Sequence, residues 1–113
     1  MTNPPPVVEI CDLAAALAAL DAALPSKTPL ILTSPPGAAN WLGVPLFAEI
    51  ARQARRQSGR NAVFILDCAE NAGAAAEALG TDDIDGVIFS GKDSAYERLS
   101  RLAAITGKTI TAS

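Results

Sequence analysis

Three apolar runs, each closing on small polar or charged residues and each followed by a helical pattern, constrain this chain more than any other feature. Leu30-Ile31-Leu32 leads into Thr33-Ser34, Val63-Phe64-Ile65-Leu66 into Asp67-Cys68, and Val87-Ile88-Phe89 into Ser90-Gly91-Lys92. The middle run is apolar on consecutive rather than alternate residues, the pattern of a strand covered on both faces, and is expected to be central. Polar residues at the exits of such strands stand where open α/β sheets place their ligands.

The segments between the runs read as helices. Asp12 is placed to cap a helix carrying Leu13, Leu17, Leu20 and Leu24 on one face, with Pro25 as its stop. Pro45 suits a first helical turn, and Leu46, Ile50 and Ala54 continue an apolar stripe to about Gln57. Asn71 caps a helix of small residues that runs to Leu79, and Ser94 with Glu97 forms a capping box ahead of Leu99, Leu102 and Ile105. Val7-Val8-Glu9-Ile10 and Thr109-Ile110-Thr111 supply short β-branched strands at the two ends.

The order is thus β-α-β-α-β-α-β-α-β, which predicts an α/β domain with a five-stranded parallel sheet and helices on both faces. A flavodoxin-like strand order, 2-1-3-4-5, is the favoured topology. Half of a (β/α) barrel, with open edges that need a partner, is the alternative. The domain is expected over 7–113, behind a flexible proline-rich tail at 1–6 that lacks the features of a secretory signal.

Composition narrows the function classes. A net charge of −3, from 9 basic and 12 acidic residues, gives no field that would attract a nucleic-acid backbone. The apolar runs are far shorter than the roughly 20 residues that span a bilayer, so no membrane role is expected and the location is read as cytoplasmic. The chain has no histidine, so the commonest general base and the commonest metal ligand are both missing. Its two cysteines, Cys11 and Cys68, are far apart and indicate reduced thiols rather than a disulfide scaffold or a zinc site. No metal and no cofactor is expected.

Parallel strands deliver their last residues to one edge, which makes Ser34, Asp67, Ser90 and Lys92 the candidate ligand-binding residues. Helix caps and turns call for the same residue types, so capping alone accounts for much of this polarity. Asp67 is the hardest to explain that way: a carboxylate ending the most apolar strand needs a partner, and Lys92, one strand over, is the expected one. Gly91-Lys92-Asp93-Ser94 opens a helix that could hold an anion, but it is not a P-loop and Asp93 opposes such a ligand. Cys68 is expected to be a buried structural thiol, because Asp67 and Glu70 disfavour its thiolate and no histidine is present to activate it.

An acid ending the third strand and a hydroxyl ending the fourth resemble the phospho-acceptor layout of response-regulator receiver domains. The likeness stops at architecture. Ile10-Cys11-Asp12 offers one acid where receivers carry a pair, and Lys108 precedes the last strand instead of following it, so no magnesium site is implied.

The connection from Ser34 to Gly43 is long for a βα loop and carries the only tryptophan, Trp41, a candidate partner-binding residue. Arg52, Arg55, Arg56 and Arg60 gather at the end of the second helix, where they are expected to complement its dipole and solvate its outer face. Together these readings favour a binding module without catalysis, taking a small polar or anionic ligand at the strand exits or a protein partner, with a homo-oligomer allowed. A lyase- or aldolase-like half-barrel acting as a dimer, with Lys92 or Asp67 at its centre, is the enzymatic alternative, and a structural or assembly role is the third.

Overall fold

Strand and helix alternate along the chain as the apolar runs predict, and every strand in the resulting sheet is parallel to its neighbour. The computed structural model describes residues 6–23 and 29–113. In chain order the elements are β1 (Val7–Glu9), α1 (Leu13–Ala22), β2 (Leu30–Thr33), α2 (Val44–Ser58), β3 (Ala62–Asp67), α3 (Ala72–Leu79), β4 (Gly86–Phe89), α4 (Asp93–Thr106) and β5 (Thr109–Ala112). A single 3₁₀ turn, Ala38–Asn40, interrupts the β2–α2 connection. Residues 1–5 of the expected tail, and the expected helix stop at Leu24 and Pro25, lie outside the described residues.

The strand order is β1-β2-β3-β4-β5. This corrects the flavodoxin-like order 2-1-3-4-5 and agrees with the order of the half-barrel alternative. The placement of the helices is corrected with it. Each crossover steps the same way along the sheet, and connections of one hand that never reverse direction return their helices to the same face. Accordingly α1 packs on α2, α2 on α3 and α3 on α4, in one layer. The topology lacks the reversal that would send a helix to the other side.

Burial follows from this one-sidedness. Leu30 and Leu32 of β2 and Ala62, Phe64 and Leu66 of β3 are buried, whereas the residues between them, Ile31, Val63 and Ile65, are only half-buried. The buried set meets Phe47, Ala51 and Ala54 of α2, Ala16 and Leu20 of α1, Ala75 and Leu79 of α3, and Leu99 of α4 in one core. The rings of Phe47 and Phe64 meet edge to face with centroids 6.2 Å apart. Alanines in α1, α2 and α3 with no exposed surface let these helices lie close on the sheet, as a close-packed interior requires.

The helix ends show where local sequence decided. Asp12 Oδ1 accepts the Ala15 N–H at 2.7 Å, and Asn71 Oδ1 accepts that of Ala74 at 3.0 Å. The expected Ser94–Glu97 capping box does not form. Helix α4 begins earlier, at Asp93 after Lys92, which leaves Ser94 inside the first turn and puts an acid at the positive end of the helix dipole.

Long-range polar contacts fasten the opposite, amino-terminal edge of the sheet. Arg55 is not a solvated surface charge: its guanidinium donates to Asp85 Oδ2 at 2.5 Å, to Asp83 O at 2.7 Å and to Ala62 O at 3.2 Å, and lies 4.7 Å from the centre of the Phe64 ring. Asp85 Oδ2 also accepts the Phe64 N–H at 2.8 Å. Arg60 reaches the carbonyl of Leu20, and Lys108 Nζ donates to the carbonyls of Thr81, Asp82 and Ile84. Among the described residues no helix is long and apolar enough to cross a membrane.

Candidate functional site

The carboxyl ends of β2, β3 and β4 are knitted together by short hydrogen bonds. Ser34 is 3% exposed; its hydroxyl donates to Pro35 O at 3.1 Å and accepts the Asp67 N–H at 2.8 Å. Asp67 Oδ1 accepts the Ala69 N–H at 2.9 Å, an Asx-type turn. That turn carries Ala69 at φ +50, a left-handed conformation that costs a residue with a Cβ about 1 kcal/mol or more. Ala69 O in turn accepts the Ser90 N–H at 2.7 Å, and Asn71 Nδ2 donates to Asn40 Oδ1 at 2.8 Å. Gly37, at φ +67, lies beside Ala69, where a side chain would meet the Ala69 methyl at 3.9 Å.

Three of the four sequence-predicted residues therefore belong to one connected edge: Ser34 and Asp67 directly, and Ser90 through its backbone. Lys92 stands apart. It is exposed at the start of α4 and forms no salt bridge with Asp67 among the described residues, so the expected pair is corrected. Asp67 needs no cation because its position at the rim leaves it partly solvated and its carboxylate accepts a local N–H. Trp41 follows the 3₁₀ turn and is 60% exposed.

Cys68 is fully buried behind this edge. Burial, with a smaller contribution from the neighbouring Asp67 carboxylate, pushes its thiol up to about 12. It is protonated throughout the neutral range and cannot serve as a nucleophile there.

The second candidate surface is the face of the sheet on which none of the described helices packs. Backbone alternation sends Val7, Ile31, Thr33, Val63, Ile65, Asp67 and Ile88 to this side, and its five large aliphatic residues lie outside the set packed on the core. Gly86 completes a row between Ile65 and Thr109: a Cβ on it would fall 2.9 Å from Ile65 Cδ1 and 2.1 Å from Thr109 Oγ1. The centre is apolar. Towards β5 the same face turns polar with Thr109 and Thr111, and at β1 it carries Glu9 next to the exposed Val7. An apolar centre inside a polar rim is the anatomy of a protein interface. The sequence signal was present in the consecutive apolar residues of β3, which reads as a strand covered on both faces while the described helices cover one.

Comparison with protein-family models, with curated proteins and with solved structures finds no match to this chain.

Proposed function

We propose that the chain is a non-catalytic binding module that docks a protein through the helix-free face of its sheet. One observation carries this reading: Ile31, Val63, Ile65 and Ile88 form a contiguous aliphatic surface on the side of the sheet away from all four helices. Each is already partly buried, so covering what remains of it gains only part of the about 1.5–3 kcal/mol that a fully exposed side chain of this size yields, and these partial gains add across the row. Catalysis is not needed to account for the site. The strand-exit edge offers a protonated thiol, and the Ser34 hydroxyl and Asp67 carboxylate are engaged in holding loops together.

The free thiols, Cys11 exposed and Cys68 buried, suit a reducing compartment, and the cytoplasm is the proposed location. With its net charge of −3, a nucleic-acid partner is not proposed. Site-specific photo-crosslinking in cells tests the docking face. A crosslinker at Ile65 should yield a discrete protein adduct, and one at Ile105, which is 83% exposed on the outer face of α4, should not. Adducts from Trp41 with none from Ile65 would move the partner to the β2–α2 loop and overturn the reading.

A second reading rests on the union of three strand exits at Ser34, Asp67 and Ala69: a small polar ligand bound at that edge. In a thermal-shift screen, a stabilising ligand of this kind loses its effect in Asp67→Asn. A ligand effect unchanged by Asp67→Asn would contradict it.

A further inference from the structure

We infer that the protein docked on the open sheet face is a second copy of this chain, which closes a ten-stranded parallel ring by setting β5 of each copy beside β1 of the other. The inference rests on the docking-face reading above and names its occupant.

Among the described residues, the one-way strand order leaves one face and both edges of the sheet open. Ile10 N–H donates to Thr33 O, and Pro6 O accepts from Ile31, so even-numbered residues of β1 point their backbone groups into the sheet while Val7 and Glu9 point theirs outward. At the other edge Thr109 N–H donates to Asp85 O, which turns the backbone groups of Ile110 and Ala112 outward. These two unpaired rows run in the same direction and are complementary. With Ile110 set opposite Val8 of the other copy, Ile110 N–H reaches the Val7 carbonyl and Glu9 N–H reaches the Ile110 carbonyl, the ordinary parallel pattern. In that register Ile110 and Val8 stay on the helix side, and Thr111 stands beside Glu9 on the inner side, where its hydroxyl can donate to the carboxylate.

Area argues for closure over a simple stacking of two faces. Five strands about 4.8 Å apart and about 15 Å long present roughly 360 Å² of plane, less than half of the about 800 Å² per partner in a standard interface. Joining both edges adds the surfaces of β1 and β5 and removes the exposed strand edges that otherwise invite uncontrolled pairing. Chemistry agrees. Eight strands close around just enough room for side chains, and ten leave a wider interior in which Glu9, Thr33 and Thr109 can remain hydrated beside the aliphatic rows. An unrelated partner without matching strands would cover the face and leave the edges.

Sedimentation of the full chain between about 1 and 100 µM, with amide exchange and an apolar fluorescent dye, tests the inference. The expected species is a dimer of about 23 kDa, twice the 11.6 kDa of one chain. The outward amides of Glu9, Ile110 and Ala112 should exchange slowly in it. Glu9→Pro removes a ring-closing N–H that the copy's own sheet does not use, and Ile65→Lys places a charge on the inner wall. Each should weaken dimerisation at least tenfold, with the circular dichroism of the fold retained. A dimer whose edge amides exchange freely, or whose affinity is unchanged in folded Glu9→Pro, would overturn the ring. A monomer at 100 µM whose dye binding is lost in Ile65→Lys overturns the second copy and leaves the docking face standing. A monomer that binds no dye overturns both.

Discussion

The Ser34 hydroxyl accepts the backbone N–H of Asp67 at 2.8 Å, joining the exits of β2 and β3 across 33 residues of chain. Ser34 is also the one polar residue among the described buried set, and its second bond goes to Pro35 O. Ser34→Ala leaves a buried N–H and a carbonyl without this partner, and the expected loss is about 1–3 kcal/mol of folding stability. Urea denaturation of the two proteins checks it, with an unchanged midpoint as the contrary result.

Two arginines three residues apart should respond very differently. Arg52 pairs with Glu49 on the exposed side of α2, where solvent screens the pair, and its removal is expected to leave the denaturation midpoint almost unchanged. Arg55 joins Asp85, two backbone carbonyls and the Phe64 ring, and Arg55→Ala leaves Asp85 without its cation beside the Phe64 amide. An expected cost of about 2–3 kcal/mol follows from the lost charged hydrogen bonds and stacking. Denaturation midpoints measured in the same buffer separate the two, and a cost for Arg52→Ala equal to that for Arg55→Ala would refute the assignment.

Cys11 is the internal control for Cys68. The exposed thiol of Cys11 should react with a thiol reagent at neutral pH within the time of mixing, and Cys68 only at the rate of unfolding. The pH dependence has a definite sign. A thiol held at about 12 in the fold against an ordinary 9.0 binds its proton more tightly folded than unfolded, so its contribution is full below pH 9 and is lost as pH rises from 9 towards 12. Cys68→Ala should flatten that alkaline decline relative to the unmodified chain. Fast labelling of Cys68 in the native protein would contradict the burial on which this rests.

The five strands and four helices were legible because each carries its own period, cap or breaker within a few residues. Asp12 and Asn71 cap as read, and β3 and β4 occupy the predicted residues. Strand order was not legible. Which neighbour a strand chooses depends on the direction of each crossover, and nothing local in Leu30–Thr33 or Val7–Glu9 encodes it. The roles of Arg55 and Lys108 were hidden for a similar reason, since their acceptors lie more than twenty residues away in sequence for the Asp85 and Thr81 contacts. At the strand exits, Ser34 and Asp67 were found by topology alone, but Lys92 was paired with Asp67 in error because a short Asx turn satisfies that carboxylate. The run Val63-Phe64-Ile65-Leu66 did state that both faces of β3 want cover.

Gly86 supplies a test of the open face that does not depend on a partner. A methyl group there would press into Thr109 and Ile65, so Gly86→Ala is expected to cost about 1–3 kcal/mol by forcing β5 or the Ile65 side chain to move. A neutral effect on the melting temperature would show that the Ile65–Gly86–Thr109 row is not packed as described.

Two adjacent residues of β3 decide whether the described helices cover one face of this sheet and leave the other for docking. Phe64 is fully buried under α2, and Ile65 points to the opposite side. Circular dichroism and thermal melting of Phe64→Lys and Ile65→Lys, each at low micromolar concentration, should show Phe64→Lys unfolded and Ile65→Lys folded with a cooperative melt. Loss of the fold in both variants would mean that the chain buries both faces itself, and would contradict the account.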